Sequence, residues 1–263
     1  MRELLVRALS GLVFISVIIG SILYSKESFY IIFYFLMLLC LFELKKMIDL
    51  SYKWTFVVAT IFYFRFANLP QLDFKYFHFF LIISIFIPFI YQLFKSKISL
   101  TSSKLGHYLL ALAYIVIPFT LLTQIPFINT AYHPKIIIGI FILIWINDSF
   151  AYLVGSTIGR TKLYEKVSPN KTIEGALGGL VAALAAAYFM SRYITDLSII
   201  NWLIVAAILV VFGLLGDLIE SKFKREAGVK DSSNFIPGHG GFLDRLDSII
   251  FAAPFVYVYL HII

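Results

Sequence analysis

Nine apolar runs of 16 to 22 residues divide this chain almost from end to end, at roughly 8–24, 28–44, 54–69, 76–94, 105–124, 135–154, 174–191, 198–219 and 248–263. A helix of about 20 such residues crosses the hydrocarbon core of a bilayer. Within hydrocarbon, a chain must satisfy its own backbone hydrogen bonds, which favours helices. A soluble fold cannot absorb nine of these runs. Only 14% of the 263 residues are charged and 60% are hydrophobic, whereas soluble domains carry roughly 25% charged residues. The pattern predicts an all-α polytopic membrane protein with about nine transmembrane helices. No linker or repeat divides the chain, so 1–263 is read as one integral membrane domain.

Charge sets the expected orientation. Of the 22 Lys and Arg residues, 17 fall at the N-terminus and in the even-numbered loops, and five on the other side. Cations gather on the cytoplasmic side, so the N-terminus is expected there and the C-terminus outside, in a cell inner (plasma) membrane. The net charge of +7 is thereby explained by loop cations, without nucleic acid. The first run follows Arg2 and Arg7 but lacks a convincing small-residue cleavage site, so it reads as an uncleaved span. Cys40, the single cysteine, excludes an internal disulfide and reads as a core or lipid-facing residue. In the first half, Glu43, Asp49 and Asp73 read as solvated charges, and His78 and His107 as interfacial packing.

The second half carries the polar chemistry. Ser221–Asp247, SKFKREAGVKDSSNFIPGHGGFLDRLD, is a charged stretch between two apolar runs and must sit in water or a polar cavity. Asp148 lies within the sixth run beside Asn147 and Ser149, and an intramembrane aspartate is a functional signal. Gly155–Thr161 lacks the spacing of a P-loop and reads as a flexible loop with one useful arginine, Arg160. At Ser168–Gly175, Pro169 can start a turn before a helix whose N–H groups, with Lys171, would attract an anion. Gly175 and Gly179, four apart, permit close helix contact. If the eighth helix continues past the apolar run, Asp217, Glu220, Ser221 and Lys224 share one face. After the turn Pro237–Gly241, Asp244 and Asp247 again fall three apart. Two helix ends thus aim acidic pairs at one place, while Gly240 and Gly241 let backbone approach a ligand. Hard oxygen ligands without paired His or Cys favour Mg²⁺. Mg²⁺ among Lys and Arg is apparatus for phosphoryl or nucleotidyl transfer.

Ser221-x-x-Lys224-Arg225-x4-Lys230-Asp231, followed by Pro237-x-His239-Gly240-Gly241-x-x-Asp244-Arg245-x-Asp247, resembles the signature of the phosphatidate cytidylyltransferases, or CDP-diacylglycerol synthases. The likeness extends through Asn147–Tyr152, Gly159–Thr161, Ser168–Gly175 and Gly216–Ser221, while the first half is similar only in hydropathy. The resemblance implies that CTP and phosphatidate become CDP-diacylglycerol and pyrophosphate, in a polytopic and often dimeric enzyme whose metal site lies in a cytoplasm-facing polar cavity. It implies metal ligation by Asp217, Ser221, Asp244, Asp247 and Asp148, with a second cation such as K⁺ beside Mg²⁺. Asp217, Asp244, Lys224, Arg245 and His239 are then the candidate catalytic residues. Lys222, Arg225 and Lys230 join Lys224 and Arg245 as candidates for the CTP phosphates, and Lys171 and Arg160 for the lipid phosphate. His239 either donates to a phosphate or braces its turn; both readings stand open. The rival reading from another class is an ion-coupled transporter of an anionic substrate, opposed by charges gathered on one side and by the absence of an inverted repeat.

Overall fold

The computed structural model describes residues 2–48, 50, 52–67, 75–95, 104–128 and 131–262, without the side chains of 2–4, 52–53, 75–81, 104 and 262. The charges expected at Asp49 and Asp73 and the side chain of His78 lie outside this set. Helices dominate: α1 (Arg2–Tyr24), α2 (Lys26–Met47), α3 (Tyr52–Ala67) and α4 (Lys75–Leu93) come first. A continuous rod follows, in which α5 (Lys104–Ala111) passes through a π-helical turn (Leu112–Val116) into α6 (Ile117–Gln124). Then come α7 (Pro134–Thr157), α8 (Ile173–Met190), α9 (Ile199–Glu226) and α10 (Leu243–Ile262). Among the described residues, six helical segments are long and apolar enough to cross a bilayer, and Trp54–Ala67 and Ile82–Leu93 are shorter apolar helices.

Two small hairpins interrupt the helical pattern, which the all-α expectation did not include. Strands β1 (Phe127–Ile128) and β2 (Ala131–Tyr132) pair between α6 and α7. Strands β3 (Lys162–Tyr164) and β4 (Ser168–Thr172) pair between α7 and α8, with Lys162 opposite Thr172 and Tyr164 opposite Ser168. Both lie in polar connections, where a hairpin satisfies backbone groups that no helix reaches.

Helix α10 is packed against α9, α6, α4 and α2. Leu246, Ile249, Ile250, Phe251, Ala252, Ala253 and Val256 are all buried. A helix apolar on nearly every side belongs in an interior. Its Phe251 meets Phe86 of α4 at 4.9 Å between ring centroids. Cys40 is buried in the same core. By contrast α1 exposes Leu5, Leu9, Leu12 and Val13 along its outer side, as a lipid-facing helix would.

Gly175 and Gly179 let α8 lie against α7. A Cβ on Gly175 would come 2.6 Å from the Ala151 carbonyl oxygen, and one on Gly179 2.5 Å from Asn147 Oδ1. Gly216 has the same role between α9 and α10, where a Cβ would come 2.5 Å from Phe251 Cβ. These approaches bring the polar ends of α7, α8, α9 and α10 together. The N-terminal end of α1 and the C-terminal ends of α2 and α4 meet them there, through Ser10, Glu43 and Gln92.

Candidate active site

At this end of the bundle lies a cavity of about 740 Å³. Its walls come from α1 (Gly11, Phe14), α7 (Asn147, Asp148), β4 (Lys171), α9 (Asp217), the loop carrying His239, and α10 (Asp244, Arg245, Asp247). Helix α9 continues to Glu226, so the condition for a shared Asp217–Lys224 face is met. Asp217 pairs with Lys171 and accepts from Ser221 Oγ at 3.2 Å. Asp247 is buried and also borders the cavity. Asp148 lies on the cavity wall, where Asn147 Nδ2 donates to it at 3.1 Å. Asp148, Asp217 and Asp247, from three helices, thus line the same cavity as Lys171.

Asp244 sits differently. Its Oδ1 accepts from Lys224 at 2.7 Å. Its Oδ2 accepts from Gly241 N at 2.7 Å, from Ser232 Oγ at 2.9 Å and from Ser232 N at 3.0 Å. Ser232 N also lies 3.3 Å from Oδ1, so each carboxylate oxygen, with two lone pairs to offer, already faces at least two donors. Gly240, just before Gly241, has a φ of 83°, a conformation open to glycine, and a Cβ there would lie 2.7 Å from Asp244 Oδ2.

The cations fall into distinct groups. Lys162, Lys171 and Arg245 line the cavity. Lys224 bridges Asp244 and the fully buried Glu220, so it ties α9 to α10. Lys222 points away altogether: its ammonium donates to the carbonyls of Gln92 at 2.6 Å, Leu93 at 3.2 Å and Lys95 at 2.5 Å. The expectation that Lys222 meets a substrate phosphate is therefore corrected, because it closes the C-terminus of α4. Arg225 and Lys230 are exposed and lie off the cavity wall, as does Arg160. Arg245 donates twice to the His239 carbonyl, at 3.0 and 2.8 Å.

Two local expectations change. Ser168, Pro169 and Asn170 belong to β4, and the helix cap is Thr172, whose side chain accepts from Gly175 N at 3.1 Å. The segment around Arg160 is latched, since Glu174 accepts from Arg160 N and Thr161 N at 3.1 Å. His239 shares a 2.9 Å hydrogen bond with Ser10 of α1. Burial, then Arg245 and Arg7, hold its imidazole below its ordinary pKa, so it is neutral at pH 7.

Sequence reasoning missed Lys162, Glu174, Ser232 and Glu43. Glu43, read as a solvated charge, is fully buried. Nothing in its local sequence signals this, because its partners lie about two hundred residues away. Ser232 sits within the charged stretch but carried no spacing signal.

Residues 5–263 match the cytidylyltransferase family. The chain belongs to this family. It is 34% identical over 268 residues to the phosphatidate cytidylyltransferase of Bacillus subtilis (strain 168), covering 97% of this chain and 96% of that protein. The protein of the same name from Staphylococcus saprophyticus is 42% identical over 154 residues, 58% of this chain and 57% of its own. That from Haemophilus influenzae is 46% identical over 134 residues, 49% and 46% respectively. The higher identities are confined to about half the chain, while the B. subtilis match extends the likeness through the first half. Family membership gives no support to the transporter reading.

The acidic set is chemically suited to a divalent cation. Four carboxylates line the cavity (Asp148, Asp217, Asp244 and Asp247), against three cations, Lys162, Lys171 and Arg245. All are hard oxygen donors of the kind Mg²⁺ prefers. Among the described residues no three acidic, His or Cys groups converge closely enough to hold an ion as they stand. Lys171 pairs with Asp217 within this set.

Proposed function

We propose that this chain transfers the cytidylyl group of CTP to phosphatidate, forming CDP-diacylglycerol and pyrophosphate in phospholipid biosynthesis. The observation that carries the reading is the family match over residues 5–263, with Asp217, His239, Asp244, Arg245 and Asp247 lining one cavity between apolar helices. Such a cavity suits a reaction with one lipid-bound and one water-borne substrate.

A phosphatidate oxygen attacks the α-phosphorus of CTP, and the bond from that phosphorus to the bridging α–β oxygen breaks. Pyrophosphate leaves with that oxygen. The second pKa of a phosphate monoester is about 6, so the nucleophile is already anionic at pH 7 and no general base is needed. The difficulty is repulsion between two polyanions. Lys162, Lys171 and Arg245, on the cavity wall, are placed to hold the phosphate oxygens. Lys171 leaves the β3–β4 hairpin toward Asp217 and so stands between the acidic cluster and incoming phosphate. Lys224 keeps Asp244 in place.

Asp217, Asp247 and Asp148, with Asp244 and the Ser221 hydroxyl, are the groups that would hold Mg²⁺. Bound there, Mg²⁺ supplies neutralisation of the triphosphate charge. A second cation such as K⁺ and a homodimer rest on the family resemblance. The cavity end is assigned to the cytoplasm, with nine crossings and the C-terminus outside. Two observations support this: the positive-charge bias of the loops, and the meeting of alternate helix ends at the cavity. Incubating the purified protein with phosphatidate, labelled CTP and Mg²⁺ tests the reading; a labelled liponucleotide supports it, and none from well-folded protein refutes it.

A further inference from the structure

Glu43 of α2 is fully buried and takes no part in the cavity wall. Its Oε1 accepts from Ser233 Oγ at 2.5 Å and Phe242 N at 3.0 Å. Its Oε2 accepts from Ser232 Oγ at 2.8 Å and Leu243 N at 2.7 Å. A buried carboxylate persists only when its lone pairs are filled. Here they are filled entirely by the segment that leads to Asp244. Phe242 N and Leu243 N stand at the start of α10, where N–H groups lack partners within the helix and favour a negative charge.

The fit leaves no spare room. A Cβ on Gly241 would strike Ser232 Oγ and lie 2.5 Å from Glu43 Oε2. Ser232 joins the two acids directly, its hydroxyl oxygen lying 2.8 Å from Glu43 and 2.9 Å from Asp244. One hydroxyl proton serves both. The neighbouring residue Phe42 meets Phe235 at 5.9 Å between ring centroids, and Lys46 lies 5.2 Å from the centre of the same ring, so the end of α2 seats the loop from both sides of Glu43.

We propose that Glu43 is a positioning residue for the reaction: acting through Ser232 and the first turn of α10, it fixes Asp244 at the cavity. This rests on the reading of Asp244 as part of the cation-holding set. Removing an outer partner of a metal ligand costs about 10–100-fold in metal affinity or activity.

The test is Glu43→Gln in the full-length protein in detergent, which keeps the side-chain shape but faces one pair of donors with another donor. The expected result is a kcat lower by about 10–100-fold and a half-saturating Mg²⁺ concentration raised about tenfold, with the KM for phosphatidate within about twofold. Hydrogen exchange should quicken at amides 232–243 and stay unchanged at 168–175. Wild-type kcat, Mg²⁺ midpoint and exchange would overturn the proposal. So would a loss of activity that only follows the loss of folded protein, the folded fraction keeping wild-type constants. Should Glu43→Gln not fold, Ser233→Ala removes one of the four donors and should move the same readouts in the same direction by about two- to tenfold; wild-type behaviour there overturns it equally. A wild-type enzyme indifferent to Mg²⁺ overturns the metal reading instead, and the exchange of 232–243 then decides the role of Glu43 alone.

Discussion

The Lys222 ammonium lies 2.6 Å from the Gln92 carbonyl oxygen, and it also reaches Leu93 and Lys95. A lysine from α9 therefore closes the C-terminus of α4, where backbone carbonyls lack partners within the helix. Lys222→Ala should cost on the order of 3 kcal/mol of stability, since it strands buried acceptors. The surviving folded enzyme should keep its KM for CTP. Thermal unfolding and steady-state kinetics on the same preparation check this, and a raised KM at unchanged stability would restore Lys222 to the substrate site.

Asp217 and Asp247 face one another across the α9–α10 contact. Asp217→Asn and Asp247→Asn should each lower kcat by about 10²–10³-fold, the size seen when one preorganised polar group is lost from a reacting site. Chelation of divalent ions should abolish turnover of the wild type, and added Mg²⁺ should restore it. Full activity in either folded variant would remove that residue from the set.

Gly216 sets the distance between those two acids. A Cβ there would lie 2.5 Å from Phe251 Cβ and 2.7 Å from the Asp247 carbonyl oxygen. Gly216→Ala must push α9 and α10 apart, at a cost of about 1–3 kcal/mol from overpacking. Turnover should fall more than the folded fraction does, because the acidic groups separate. Wild-type melting and turnover would show that the helices accommodate the methyl.

Lys162 and Lys230 make a contrast within one charge type. Lys162 lines the cavity and Lys230 lies exposed away from it. Lys162→Ala should raise the KM for CTP about tenfold, the worth of one charge-assisted hydrogen bond. Lys230→Ala should leave it near wild type. Equal effects from the two would point to a general field of loop cations in place of a defined contact.

The folded-state pKa of His239 is lowered by burial, Arg245 and Arg7. The unfolded chain titrates near about 6.5, so between the two values the unfolded state binds more protons. Stability is full above that pH and declines with acid until His239 is protonated in the folded chain too. His239→Asn should flatten this decline in melting temperature as the pH falls below about 6.5. An undiminished decline would assign the acid sensitivity to other groups.

The membrane class and the helical character of the chain were legible because each depends on composition over a short window. The apolar runs at 135–154 and 174–191 anticipate α7 and α8 within a few residues. The shared face of Asp217, Ser221 and Lys224 was likewise legible, since a helix period places residues four apart on one side. Spacing could not say which cations face the cavity. Lys222 and Lys224 are two residues apart, and the helix turns them to opposite tasks.

The sequence by itself determined that the chain is a membrane-embedded helical protein with its polar chemistry in the second half, because local hydropathy and the charged signature carry that information. Only the tertiary structure decided that Glu43 belongs with Ser232 and Leu243, that Lys222 serves α4, and that Lys162 lines the cavity. Those pairings join residues far apart along the chain. They are made by close helix packing at Gly175 and Gly216, whose outcome no single stretch of sequence contains.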